Sequence, residues 1–70
     1  MQTLVRFQLV NGEHMTRVVG GDMETAFYKV CDAIDASIEG GTDWIIFSDD
    51  LSAVNMGQIV SFEVVGERPE

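Results

Sequence analysis

Val5-Arg6-Phe7-Gln8-Leu9-Val10-Asn11-Gly12-Glu13-His14-Met15-Thr16-Arg17-Val18-Val19 holds two alternating runs on either side of an Asn-Gly pair. Successive side chains of a strand point to opposite faces, so each run reads as a half-buried strand, over residues 3–10 and 13–19. Asn and Gly tolerate positive φ at the two central positions of a tight hairpin, and the pair predicts a two-residue loop. That loop length fixes a register: Val10 opposite Glu13, Leu9 opposite His14, Phe7 opposite Thr16, Arg6 opposite Arg17. His14, Thr16 and Val18 then share the face of Phe7. Leu4, Arg6, Gln8, Val10, Met15, Arg17 and Val19 share the other. Like charges directly opposite each other destabilise a sheet, so Arg6 and Arg17 call for nearby carboxylates, solvent or a partner.

Outward from the hairpin, Gly20-Gly21 breaks the second strand and Asp22 is a good helix N-cap. Met23, Phe27, Val30, Ile34 and Ile38 recur at helical spacing, with Ala26 and Cys31 widening the stripe. This predicts an amphipathic helix of about four turns that ends at Gly40-Gly41. Trp44-Ile45-Ile46-Phe47 is a continuous apolar run bounded by turn residues, which reads as a strand covered on both faces. Ser48-Asp49-Asp50 is a turn, residues 51–55 form a short returning strand, and Met56-Gly57-Gln58 is a bend or single helical turn. Residues 59–65 alternate again as a last strand.

The expected fold class is therefore α+β: a small antiparallel sheet in the order strand, strand, helix, strand, strand, strand, with the helix on one face. Residues 1–66 make one domain and residues 67–70 a polar C-terminal tail. One helix covers one sheet face, so the other needs a second copy or closure of the sheet into a barrel.

Two further stretches bear on closure. Val5-Arg6-Phe7-Gln8-Leu9-Val10-Asn11-Gly12 and Val54-Asn55-Met56-Gly57-Gln58-Ile59-Val60-Ser61-Phe62-Glu63 resemble the strand and bend patterns of Sm-like barrels, over 18 of the 70 residues. The resemblance implies, as the alternative fold, an SH3/Sm-like small barrel with an inserted helix, and ring assembly. It departs from that family in lacking the basic and polar RNA-contacting positions.

Composition narrows the function. With 46% hydrophobic residues the chain is apolar enough to fold despite a net charge of −8. That charge disfavours direct nucleic-acid binding and adhesion to anionic membranes, which need clustered Lys and Arg. No segment reaches the roughly 20 apolar residues of a membrane span, and the expected location is the reducing cytoplasm. A core this small is commonly supplemented. One cysteine, Cys31, rules out an internal disulfide and one histidine, His14, leaves no zinc set, so a homo-oligomer is the expected supplement.

Asp32, Asp35 and Glu39 fall within about 60° of one another at 100° per residue on the helix. They crowd its C-terminal half, where the macrodipole disfavours negative charge. They are the expected partner-binding stripe, with Asp43, Asp49 and Asp50 as rim charges. Leu4, Val10, Met15 and Val19 form the expected self-association face. His14 falls on the predicted core face beside Leu9. No nucleophile and base set can be assembled, and no catalytic residue, metal site or cofactor is expected. The leading expectation is a noncatalytic acidic interaction module that self-associates and docks on a basic protein surface. Regulators and inhibitors of that kind, including phage and mobile-element proteins, are the analogy. A binder of a small anion or nucleotide held by Arg6 and Arg17 is the alternative, and a structural subunit of a larger assembly is a third reading.

Overall fold

The computed structural model describes residues 1–47 and 52–68. β1 (Gln2–Leu9) and β2 (His14–Gly20) form the hairpin, followed by α1 (Met23–Glu39), β3 (Trp44–Phe47), β4 (Ser52–Asn55), a single 3₁₀ turn (Met56–Gln58) and β5 (Ile59–Arg68). The fold is α+β, with antiparallel strands and one helix, and the strands divide into two sheets. β1 lies between β2 and β5 in a three-stranded sheet, while β3 pairs with β4 in a separate two-stranded one. Among the described residues no barrel closes, so the Sm-like alternative is corrected.

Asp22 caps α1 as expected. Its side chain accepts from the Thr25 backbone N–H at 2.8 Å. That bond, with a side-chain bond from Thr25, holds the Asp22 carboxyl below the ordinary aspartate value. The other end closes through the Thr42 N–H, which donates to the Ser37 carbonyl at 3.1 Å, and the Ser37 hydroxyl, which donates to the Thr42 carbonyl at 2.8 Å. These bonds satisfy last-turn groups that the helix itself leaves open.

The hairpin register differs from the expected one by a single residue. Phe7 stands opposite Met15, Val5 opposite Arg17 and Arg6 opposite Thr16. The loop has three residues instead of two. Leu9 N–H donates to the Glu13 carbonyl at 2.9 Å, Gly12 N–H donates back to the Leu9 carbonyl at 3.0 Å, and Gly12 takes φ +87°. A tight turn followed by a left-handed glycine is the second common hairpin solution. One residue of slip moves every β2 side chain to the other face. Met15, Arg17 and Val19 therefore join Phe7 on the inside, and His14, Thr16 and Val18 go outside with Arg6 and Gln8.

The inner face of the three-stranded sheet is covered jointly by α1 and by the β3–β4 hairpin. Val5, Phe7, Val19, Ala26, Val30, Ile45, Phe47 and Val54 form one buried cluster. Phe7 packs edge-on to Phe47 at 5.6 Å between centroids and against Phe62 at 5.9 Å, and Phe62 meets Phe27 of α1 at 5.6 Å. The helix turns Ala26, Val30 and Ser37 fully inward, while Met23, Phe27 and Ile38 stay exposed. The predicted stripe is thus rotated toward its small residues. In β3 burial alternates, with Ile45 and Phe47 inside and Trp44 and Ile46 outside. The reading of this strand as covered on both faces is corrected: its two-stranded sheet has only one packed face.

β5 runs past the predicted strand end to Arg68, so two residues assigned to a tail belong to the sheet. Gly66 pairs with Leu4, Glu67 with Thr3 and Arg68 with Gln2, after a bulge that leaves Val65 without an opposite residue. A second irregularity near Gln8 and Leu9 does the same for Val60.

Candidate partner-binding surface

Asp32, Asp35 and Glu39 are all exposed on α1. At 100° per residue they lie on the side of the helix away from Val30 and Ser37, and half-exposed Tyr28 falls in the same arc. Asp43, in the link to β3, is exposed as well. Asp49 and Asp50 lie outside the described residues. Four of the six acidic positions expected to meet a partner are thus open to solvent, and three of them make a continuous ridge.

Beside this ridge is an apolar ledge that the sequence reading did not isolate. Trp44 is 51% and Ile46 67% exposed on the unpacked face of the β3–β4 sheet, with Ala53 opposite Ile46. A groove of about 330 Å³ separates β2, α1 and β3, walled by Val18, Ala33, Ile46 and Phe47, with Lys29 and Asp32 also lining it. A smaller hollow of about 120 Å³ adjoins it and shares Ala33 and Ile46, adding Ala36 and Trp44. Asp32 therefore belongs both to the acidic ridge and to the apolar groove. The run Trp44-Ile45-Ile46-Phe47 carries no signal of it, because four consecutive apolar residues do not say which alternate pair is packed.

The residues expected to self-associate do not share a face. Val19 is 3% exposed within the core and Met15 packs against the core, whereas Leu4 is half-buried on the outer face and Val10 is 58% exposed in the hairpin loop. The register shift is the cause. It also separates the two arginines of the expected anion clamp. Arg6, on the outer face, pairs with Glu63, its Nε donating to Oε1 at 2.9 Å and its Nη2 to the same oxygen. Arg17, on the inner side, donates from Nη1 to the Ser52 hydroxyl at 2.9 Å and from Nη2 to the Met15 sulfur at 3.7 Å.

His14 is exposed, not on the core face, for the same reason. It borders a polar hollow of about 250 Å³ on the outer face with Arg6, Gln8, Ser61 and Glu63. Glu63 in that hollow is engaged by Arg6. Among the described residues no three His, Cys, Asp or Glu side chains converge as a metal set, and no helix is long and apolar enough to cross a membrane. No family model matches the chain, and neither a curated protein nor a solved structure does.

Proposed function

We propose that this protein is a noncatalytic interaction module, a regulator or inhibitor that docks on a basic protein surface through α1 and the outer face of β3. The supporting observation is the adjacency of charge and grease: Asp32, Asp35 and Glu39 stand exposed beside Trp44 and Ile46, joined by a groove to which Asp32 contributes. Such a surface suits a partner with an apolar anchor flanked by Lys or Arg. Tryptophan is the residue type most enriched among energetically dominant interface positions, and the surrounding carboxylates give orientation and association rate. The excess of acidic residues strengthens this bias, since a partner of the same sign is repelled at a distance.

Trp44 is the only tryptophan, so its fluorescence reports the ledge directly. An amphipathic Lys- and Arg-rich helical peptide should shift Trp44 emission, with an affinity that falls as salt is raised. Replacing Asp32, Asp35 and Glu39 together by Lys should abolish that response. The fold should survive, because removing negative charge from the helix C-terminal half relieves the macrodipole by about 0.3 to 1 kcal/mol per residue. An unchanged spectrum with the basic peptide, or an equal response to an acidic peptide of the same apolar pattern, overturns the proposal.

A further inference from the structure

The groove and the hollow beside it repeat along one seam. On α1 the groove of about 330 Å³ is lined by Lys29, Asp32 and Ala33, and the hollow of about 120 Å³ by Ala33, Ala36 and Ser37. Each lining position of the first recurs four residues on in the second, a shift of about 6 Å at 1.5 Å per residue. β3 runs the other way along the same seam, with Ile46 and Phe47 walling the groove and Trp44 and Ile46 the hollow. Ala33 and Ala36 carry no atoms beyond Cβ, which leaves both depressions open.

Two kinds of occupant have this repeat. Side chains four apart on a helix lying along α1 rise by the same 6 Å and share one face. Side chains two apart on an added strand rise by nearly 7 Å and also share one face. Backbone hydrogen bonding separates the two. The Asp43 carbonyl accepts from the Met56 N–H at 2.6 Å, so by ladder alternation Ile45 and Phe47 turn their backbone groups to β4, and Trp44 and Ile46 turn theirs away. The Trp44 N–H is already given to the Thr42 hydroxyl at 3.2 Å, which leaves Ile46 to supply the donor in a strand of four residues. An added strand would gain little ladder there.

We infer, resting on the docking proposed above, that the partner's contact segment is an amphipathic helix laid along the α1–β3 seam, with apolar side chains at i and i+4 seated in the two depressions and Lys or Arg on the flank turned to Asp32, Asp35 and Glu39. Such a helix uses the common helix-in-groove mode of recognition. Charge decides against a second copy of this chain. On α1 the single cation Lys29 stands against Glu24, Asp32, Asp35 and Glu39, so the helix of another copy would bring four carboxylates to meet four. A cationic helix instead meets opposite charge along the seam, which speeds encounter and fixes its orientation.

Two tryptophan-free peptides of identical Lys, Arg, Leu and Ala composition test it through Trp44 emission, one with its two leucines at i and i+4, the other at i and i+2. On a helix the second spacing puts the leucines on opposite faces, so only one can enter the seam. The i, i+4 peptide should bind about tenfold more tightly or better, the ratio expected for one lost leucine anchor. Ala36→Gln, an exposed change that fills the hollow, should bring its affinity down to that of the i, i+2 peptide without altering the salt dependence. Ile38→Gln, about 200° round the helix from Ala36, should leave it unchanged. Equal or tighter binding of the i, i+2 peptide overturns the helical occupant while the docking of a basic partner stands, and so does a folded Ala36→Gln variant that binds both peptides as the unaltered protein does. Silence toward both peptides overturns the docking and this inference together.

Discussion

At the scale of single residues, two glycines test how the backbone is held. Gly12 lies at φ +87° in the hairpin loop, with open space where a Cβ would be. Gly21 lies at φ +105° between β2 and the helix cap, and there a Cβ would sit 2.8 Å from the Thr25 methyl. Thr25 cannot easily retreat, because its N–H is held by Asp22 and β-branched side chains have few rotamers in a helix. Gly12→Ala should therefore cost only the backbone penalty, about 1 to 2 kcal/mol. Gly21→Ala adds a steric clash and should cost about 2 to 4 kcal/mol. Urea denaturation followed by Trp44 fluorescence gives both values; equal losses would mean that the Thr25 contact carries no strain.

At the scale of elements, the helix shows why composition is a poor guide to phase. Hydrophobicity alone places Ile38 and Phe27 inward with Val30, yet the positions buried beside Val30 are Ala26 and Ser37, and Ile38 is 61% exposed. Small residues let the helix axis approach the sheet, and the larger apolar ones spread to its flanks. Ala26→Leu should thus destabilise by about 1 to 3 kcal/mol through overpacking. Ile38→Ala should change stability by less than about 0.5 kcal/mol. Urea midpoints at constant slope distinguish this order from its reverse. The same limit applies to the hairpin. Its two strands and its turn were legible from alternation and Asn11-Gly12, but His14 to Val19 offers a mixed pattern on both faces, so side chains could not choose between a two- and a three-residue loop. The acidic ridge was legible because Asp32, Asp35 and Glu39 sit where no helix phase compatible with Val30 inward could bury them. The ledge was not, since Trp44 and Ile46 are exposed only because β3 acquired one strand neighbour and one packed face, a fact of tertiary arrangement.

At the scale of the molecule, the central strand is assembled from both ends of the chain. β1 pairs with β2 across one short loop, and with β5 only after the whole intervening chain has been placed. The last residues of β5 are therefore part of the closure. Gly66, Glu67 and Arg68 pair with Leu4, Thr3 and Gln2, and the Glu67 carboxylate accepts from the Met23 N–H at 3.3 Å, tying β5 to the first turn of α1. Ending the chain after Val65 removes these pairings. At about 0.5 to 1.5 kcal/mol net for each hydrogen bond, the loss should reach roughly 2 to 4 kcal/mol. That is a large share of the roughly 3 to 5 kcal/mol a core of this size supplies, so the truncated protein should show a much earlier and shallower urea transition. Amide hydrogen exchange locates the effect. Gln2 and Leu4, whose N–H groups face β5 at the removed pairs, should lose protection, while Arg6, still opposite Glu63, and Val5 and Phe7, which face β2, should keep more of theirs. A truncated chain with the full-length midpoint and an unchanged exchange pattern would instead make residues 66–68 an ornament of the edge, and would leave the closure of the sheet to the stretch between Ile59 and Val65.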